Sequence, residues 1–96
     1  MFEQKLEEKV KHYKLLTQKA LKKIKIAKSL NEKEMQLAND FLQMAQNYFS
    51  DACYFQGKVK LLTALAAFSY AHAWLDAGIR AGLFKARDSK LFTLKK

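Results

Sequence analysis

Apolar residues recur at alternating steps of three and four along two stretches of the chain, and a third stretch is apolar on more than one side. The first series is Leu6, Val10, Tyr13, Thr17, Ala20, Ile24 and Ala27, widened by Phe2, Leu16 and Leu21. That spacing keeps one seam of a helix facing a neighbour, and it predicts a helix over about 2–28. The second series, Met35, Ala38, Leu42, Ala45, Phe49 and Ala52, has Phe41, Tyr48 and Phe55 beside it at steps of seven. It predicts a helix over about 32–56. Before it, Ser29 with Glu32 or Asn31 with Glu34 offers a capping box, in which a side chain covers the orphan amides of the first turn.

The chain contains no proline, and its three glycines are Gly57, Gly78 and Gly82. Gly57 falls where a left-handed residue is expected to end the second helix, with Lys58 beyond it and an apolar run resuming at Val59. A turn this tight makes the second and third helices antiparallel. The third helix is predicted over about 59–82 and is apolar nearly all round. Ser69, His72, Asp76 and Arg80 fall on one narrow polar stripe, whereas Ala64, Ala67, Ala71 and Gly78 make a smooth strip that suits the close approach of another helix. Residues 83–96 lack a helical period but keep Leu83, Phe84, Leu91, Phe92 and Leu94, so they are expected to fold back over an end of the bundle. The reading is one all-α domain spanning 1–96, an up-down-up three-helix bundle with a short C-terminal tail packed back on it.

Ninety-six residues suffice for one modest core. The longest uncharged run, Leu61 to Leu75, is too short to cross a bilayer, so membrane insertion is not expected. The N-terminal MFEQKLEEKV carries acids where an export signal needs an apolar stretch, and a lone Cys53 cannot form an internal disulfide. Both features point to the cytoplasm.

The net charge of +9 is uneven: residues 1–30 carry +6, residues 31–57 carry −3 and residues 58–96 carry +6. Lys19, Lys22, Lys23, Lys25 and Lys28 form a candidate anion-binding group, with weak, salt-sensitive RNA binding as its functional version. Complementing the dipole of the first helix explains the same lysines without a partner, because Glu3, Glu7 and Glu8 gather at its other end. Two Arg among eighteen basic residues also argue against sequence-specific reading.

Chemistry is sparse. Asp51 and Asp76 lie roughly 20 Å apart along the hairpin at 1.5 Å per residue, too far to act on one bond. His72, Asp76 and Arg80 at steps of four make an ion-pair ladder on one face, and a general base would further need a nucleophile and pocket that the sequence does not supply. His12, His72 and Cys53 fall on different helices without ligand spacing, so no metal or cofactor is expected. No catalytic residues are assigned. The excess apolar surface of the third helix points instead to a protein partner or a second copy, through Ser69, His72, Trp74, Asp76, Arg80 and Phe84.

The run SYAHAWLDAGIRAGLF, preceded by Tyr48, Asp51, Ala52, Phe55, Gly57 and Ala64, resembles the archaeal domain-of-unknown-function family 357. The likeness covers roughly residues 30–94. It implies a small archaeal helical bundle with no assigned activity, and it supplies no catalytic residues. A second likeness is to the helical nucleotide-binding modules that partner nucleotidyltransferases. Their Arg followed four to six residues later by His is absent, because Arg80 and Arg87 both come after His72.

Overall fold

The computed structural model describes residues 2–86 of the chain. Three helices dominate it: α1 (Phe2–Lys23), α2 (Glu32–Gly57) and α3 (Leu61–Arg80). Two short strands, β1 (Lys25–Ile26) and β2 (Phe84–Lys85), pair antiparallel. The fold is all-α in character and runs up-down-up, as the apolar pattern predicts. The arrangement is flatter than a triangular bundle. Helix α3 lies in the middle with α2 and α1 on either side, and α1 touches α2 only slightly. The molecule is accordingly 49 Å long but 16 Å thick.

The α2·α3 seam is built on small residues. Ala38, Ala45 and Ala52 on α2 recur at sevens, as do Ala64, Ala71 and Gly78 on α3, and all six are buried. A buried face of methyl groups lets the two backbones approach closely, and larger side chains fill in from its flanks. Phe68 meets Phe49 edge-on at 5.4 Å and Trp74 meets Phe41 at 5.0 Å. Helix α1 contributes Val10, Thr17 and Ala20, all at 0% exposure. Thr17 is the one buried polar residue among the described residues, and its Oγ1 lies 3.3 Å from His72 Nδ1 on α3. A buried hydroxyl without a partner is costly, so this bond fixes α1 against α3 at one height.

The helix ends differ from expectation in ways that bear on the surface. Of the two capping boxes, Asn31 with Glu34 forms: Asn31 Oδ1 accepts from Glu34 N–H at 2.8 Å and Glu34 Oε1 accepts from Asn31 N–H at 3.0 Å. Helix α1 ends at Lys23 instead of running to 28, because Lys25 and Ile26 leave it to pair with Lys85 and Phe84. Ala27 N–H extends that pairing to Leu83 O at 2.9 Å. The third helix starts at Leu61, not 59. Gly57 is its predecessor's last helical residue, and Val59, at φ 58°, is the left-handed one. Val59 N–H donates to Gln56 O and Lys60 N–H to Phe55 O, the paired bonds of a left-handed C-cap.

Helix α3 ends in the same motif, here with glycine at its centre. Gly82 has φ +76°, Gly82 N–H donates to Ile79 O and Leu83 N–H to Gly78 O. This reversal directs Leu83 and Phe84 into the core at 2% and 3% exposure, with the Phe84 ring lying on Gly78. The first residues of the expected tail therefore do fold back on the bundle. The remainder, 87–96, lies outside the described residues.

Candidate functional site

The polar stripe expected on α3 is largely absorbed into the fold. Ser69 is exposed but donates its hydroxyl to Leu65 O of its own helix at 3.0 Å, a local bond common for Ser in helices. His72 is half-buried and bonded to Thr17, Asp76 is half-buried, and Trp74 packs on Phe41. Phe84 is buried, so it is not available as part of an interaction surface, because the turn at Gly82 carries it inward. Of the six residues, Ser69 and Arg80 are exposed. The stripe turns His72 toward Thr17 of α1 and leaves Asp76 half-buried one turn further along α3.

Two open depressions lie at the other end of α3. The larger, of about 430 Å³, is lined by Phe2, Leu6, Val59, Leu61 and Leu62 with Glu3, Glu7 and Lys60 at its polar edge. The smaller, of about 180 Å³, shares Glu7, Val59 and Leu61. Phe2, Val59 and Leu62 are each more than 60% exposed, so the hollow is apolar and unfilled at its mouth. Among the described residues no group of three His, Cys, Asp or Glu side chains is placed to hold a metal ion. No described helix is long and apolar enough to cross a membrane.

The solvent face of α3 is the least expected surface. Its exposed residues from Leu62 to Ala77 are Leu62, Thr63, Ala66, Ser69, Tyr70, Ala73 and Ala77, and not one is charged. The exposed faces of α1 and α2 are lined with Lys, Glu, Gln and Asn. Leu62 is 64% and Tyr70 58% exposed, the latter with its ring 5.4 Å from that of Tyr48. The sequence pointed to Ala64, Ala67, Ala71 and Gly78 as the smooth strip, and these pack inside the molecule. Ala66, Ala73 and Ala77 form a second smooth strip on the opposite side, detectable as alanines that the inward-facing seam does not use.

The lysines expected to bind anions, Lys19, Lys22, Lys23, Lys25 and Lys28, are all exposed and gather where α1 ends. Lys19, Lys22 and Lys23 are on the helix, Lys25 is on β1 and Lys28 is in the turn that follows.

A family model of proteins of unknown function, DUF357, matches residues 12–84. The chain belongs to the DUF357 family. A crystal structure of a DUF357 protein from Archaeoglobus fulgidus superposes with a TM-score of 0.72 over 91% of this chain and 100% of that one. At 22% identity that likeness speaks for the fold alone. No curated protein matches this DUF357 chain. The family description assigns no activity, so any function rests on the surfaces described above.

Proposed function

We propose that this DUF357 protein is a non-catalytic, cytoplasmic self-association module in which α3 packs against α3 of a second copy. The observation that carries this reading is the uncharged solvent face of α3 in a chain with 28% charged residues. A solvated helix face ordinarily carries charge, and one that lacks it over about 22 Å, at 1.5 Å per residue, suits contact with another apolar surface. Small side chains at Ala66, Ala73 and Ala77 favour a close approach of helix to helix.

A second copy fits this face because the strip is self-complementary about its midpoint. In an antiparallel two-fold pair, Leu62 of one copy lies over Ala77 of the other, Ala66 over Ala73, and Ser69 beside Tyr70. Large residues thus meet small ones, and no charge enters the centre of the contact. The hollow rimmed by Phe2 and Val59 continues the apolar surface beyond Leu62. A contact centred on one helix face falls at the small end of interface sizes, below about 1,200 Å², so micromolar affinity is expected.

Ala66→Glu and Ala73→Glu test this directly by sedimentation velocity. Both sites are exposed, so each variant is expected to keep its helical circular dichroism and melting midpoint while losing the dimer. A wild-type chain that sediments as a monomer up to about 500 μM, far above a micromolar dissociation constant, contradicts the reading.

A further inference from the structure

We propose that the end of the molecule carrying the β1·β2 ribbon binds structured RNA through its phosphate backbone. This site is separate from the α3 face and does not depend on it.

The position of the helix end changes the meaning of the lysines. Had α1 run to residue 28, its dipole would account for Lys25 and Lys28, since a cation is favoured within the last turn of a helix. Helix α1 ends at Lys23, so that explanation reaches Lys22 but not Lys25 or Lys28. The ribbon adds a second anomaly. Its register sets Lys25 directly opposite Lys85, and both are exposed. Side chains opposite one another across an antiparallel pair are roughly 5 Å apart, and like charges there are destabilising unless an anion lies between them.

Other cations fall at the same end of the elements. Arg80 is the last residue of α3 and is exposed, as are Lys22 and Lys28. Among the described residues the acids at this end are Glu32 and Glu34, which open α2, and Asp76. Glu32 and Glu34 are exposed and Asp76 is half-buried, and the five cations Lys22, Lys25, Lys28, Arg80 and Lys85 outnumber these three acids. The chain leaves the described structure at Ala86, at this same end.

The surroundings select among polyanions. An anionic membrane surface requires basic and apolar groups on one face. Here Phe2, Tyr54, Val59 and Leu62 are exposed at the opposite end, and Met35 and Leu37, two positions apart on α2, point to different sides. Of the exposed aromatic rings among the described residues, Phe2 and Tyr54 are at the far end and Tyr70 is midway along α3, so none lies at the ribbon to stack unpaired bases and the contact is with a backbone. Two strands of two residues make a blunt surface that cannot enter a major groove. A-form RNA presents phosphates along a wide, shallow minor groove, which a blunt basic surface fits.

Fluorescence anisotropy with the full 96-residue chain and a labelled RNA duplex of about 20 base pairs tests the proposal. If Lys22, Lys25, Lys28, Arg80 and Lys85 each neutralise one phosphate, log K falls against log salt with a slope of about −4 to −5. The double variant Lys25→Gln/Lys85→Gln is expected to lower that slope by about 2 and to weaken binding at about 100 mM KCl at least tenfold. Lys5→Gln/Lys58→Gln removes the same charge at the other end and is expected to stay within about twofold of wild type, because those lysines contact no phosphate. The melting midpoint of Lys25→Gln/Lys85→Gln is expected to equal or exceed that of wild type, since the opposed pair is relieved. Lys22→Gln/Lys28→Gln, which leaves the ribbon intact, reads the same surface independently. Any of four results overturns the proposal: no binding at about 50 mM KCl, equal loss from both ends, tighter binding of poly-glutamate than of RNA, or equal binding of phosphatidylserine vesicles.

Discussion

Replacing Gly78 by Ala is expected to destabilise the protein, against the ordinary preference of helices for alanine. In a solvated helix interior the change gains up to about 1 kcal/mol. Here a Cβ on residue 78 runs into Cδ2 and Cε2 of Phe84, whose ring is buried at 3% exposure. The ring cannot swing outward freely, because Leu83 N–H is bonded to Gly78 O and β2 is paired with β1. Overpacking of this kind costs about 1–3 kcal/mol, and complete expulsion of a Phe about 3–5 kcal/mol. Net of the helix gain, about 1–2 kcal/mol of stability is lost. For a domain of this size that lowers the melting midpoint by roughly 5–15 °C. Urea and thermal melts of Gly78→Ala, Phe84→Ala and the double variant form a cycle that isolates the contact. With the ring gone, Gly78→Ala should become neutral or stabilising. A Gly78→Ala protein as stable as wild type refutes the claim that Phe84 locks the ribbon onto α3.

Val59→Gly is expected to raise stability by up to about 1 kcal/mol, since a β-branched residue in the left-handed region carries about 1–2 kcal/mol of strain that glycine escapes. A lowered urea midpoint contradicts this, and because Val59 also rims the apolar hollow, weaker dimerisation of the same variant is expected. Phe68→Ala is expected to cost about 3–5 kcal/mol, a large part of a small domain's stability, while Leu65→Ala, at a half-buried position, costs less. Equal urea midpoints for those two variants show that the α3 core face is misassigned. The two glutamate variants of the α3 face and the salt slopes of RNA binding, set out above, complete the set.

The helices were legible because burial repeats along them: Ala38, Ala45 and Ala52 state the α2 seam at sevens, and Leu6 to Ala20 state that of α1. The capping box was legible as a pair of alternatives, and the geometry selects Asn31 with Glu34. The ribbon was not legible, since two residues per strand cannot display an alternation, and Ile24 and Ala27 continue the helical period past the point where α1 ends. The exchange between Gly57 and Val59 was hidden for another reason. Glycine marks a left-handed position when local conformation decides, and here the two antiparallel helices set the turn by their own packing, placing valine there. Helical spacing aligns Ser69, His72, Asp76 and Arg80 along one side of α3, but the environment of each depends on where α1 lies. Thr17 draws His72 toward the core, and the pattern of α3 alone contains no sign of that. The uncharged exterior of α3 emerged only when Ala64, Ala71 and Gly78 were assigned inward, leaving Ala66, Ala73 and Ala77 outside.

The most direct test of self-association through α3 is the mass of the wild-type chain by light scattering after size exclusion, from about 5 to 500 μM and at low and high salt. A contact free of charge between two bodies of net charge +9 is expected to give a concentration-dependent shift from 11.1 kDa toward twice that mass, maintained or strengthened as salt screens their repulsion. A mass of 11.1 kDa at every concentration and salt contradicts it, and a dimer that dissolves on adding salt shows that charge, not the α3 face, holds the copies together.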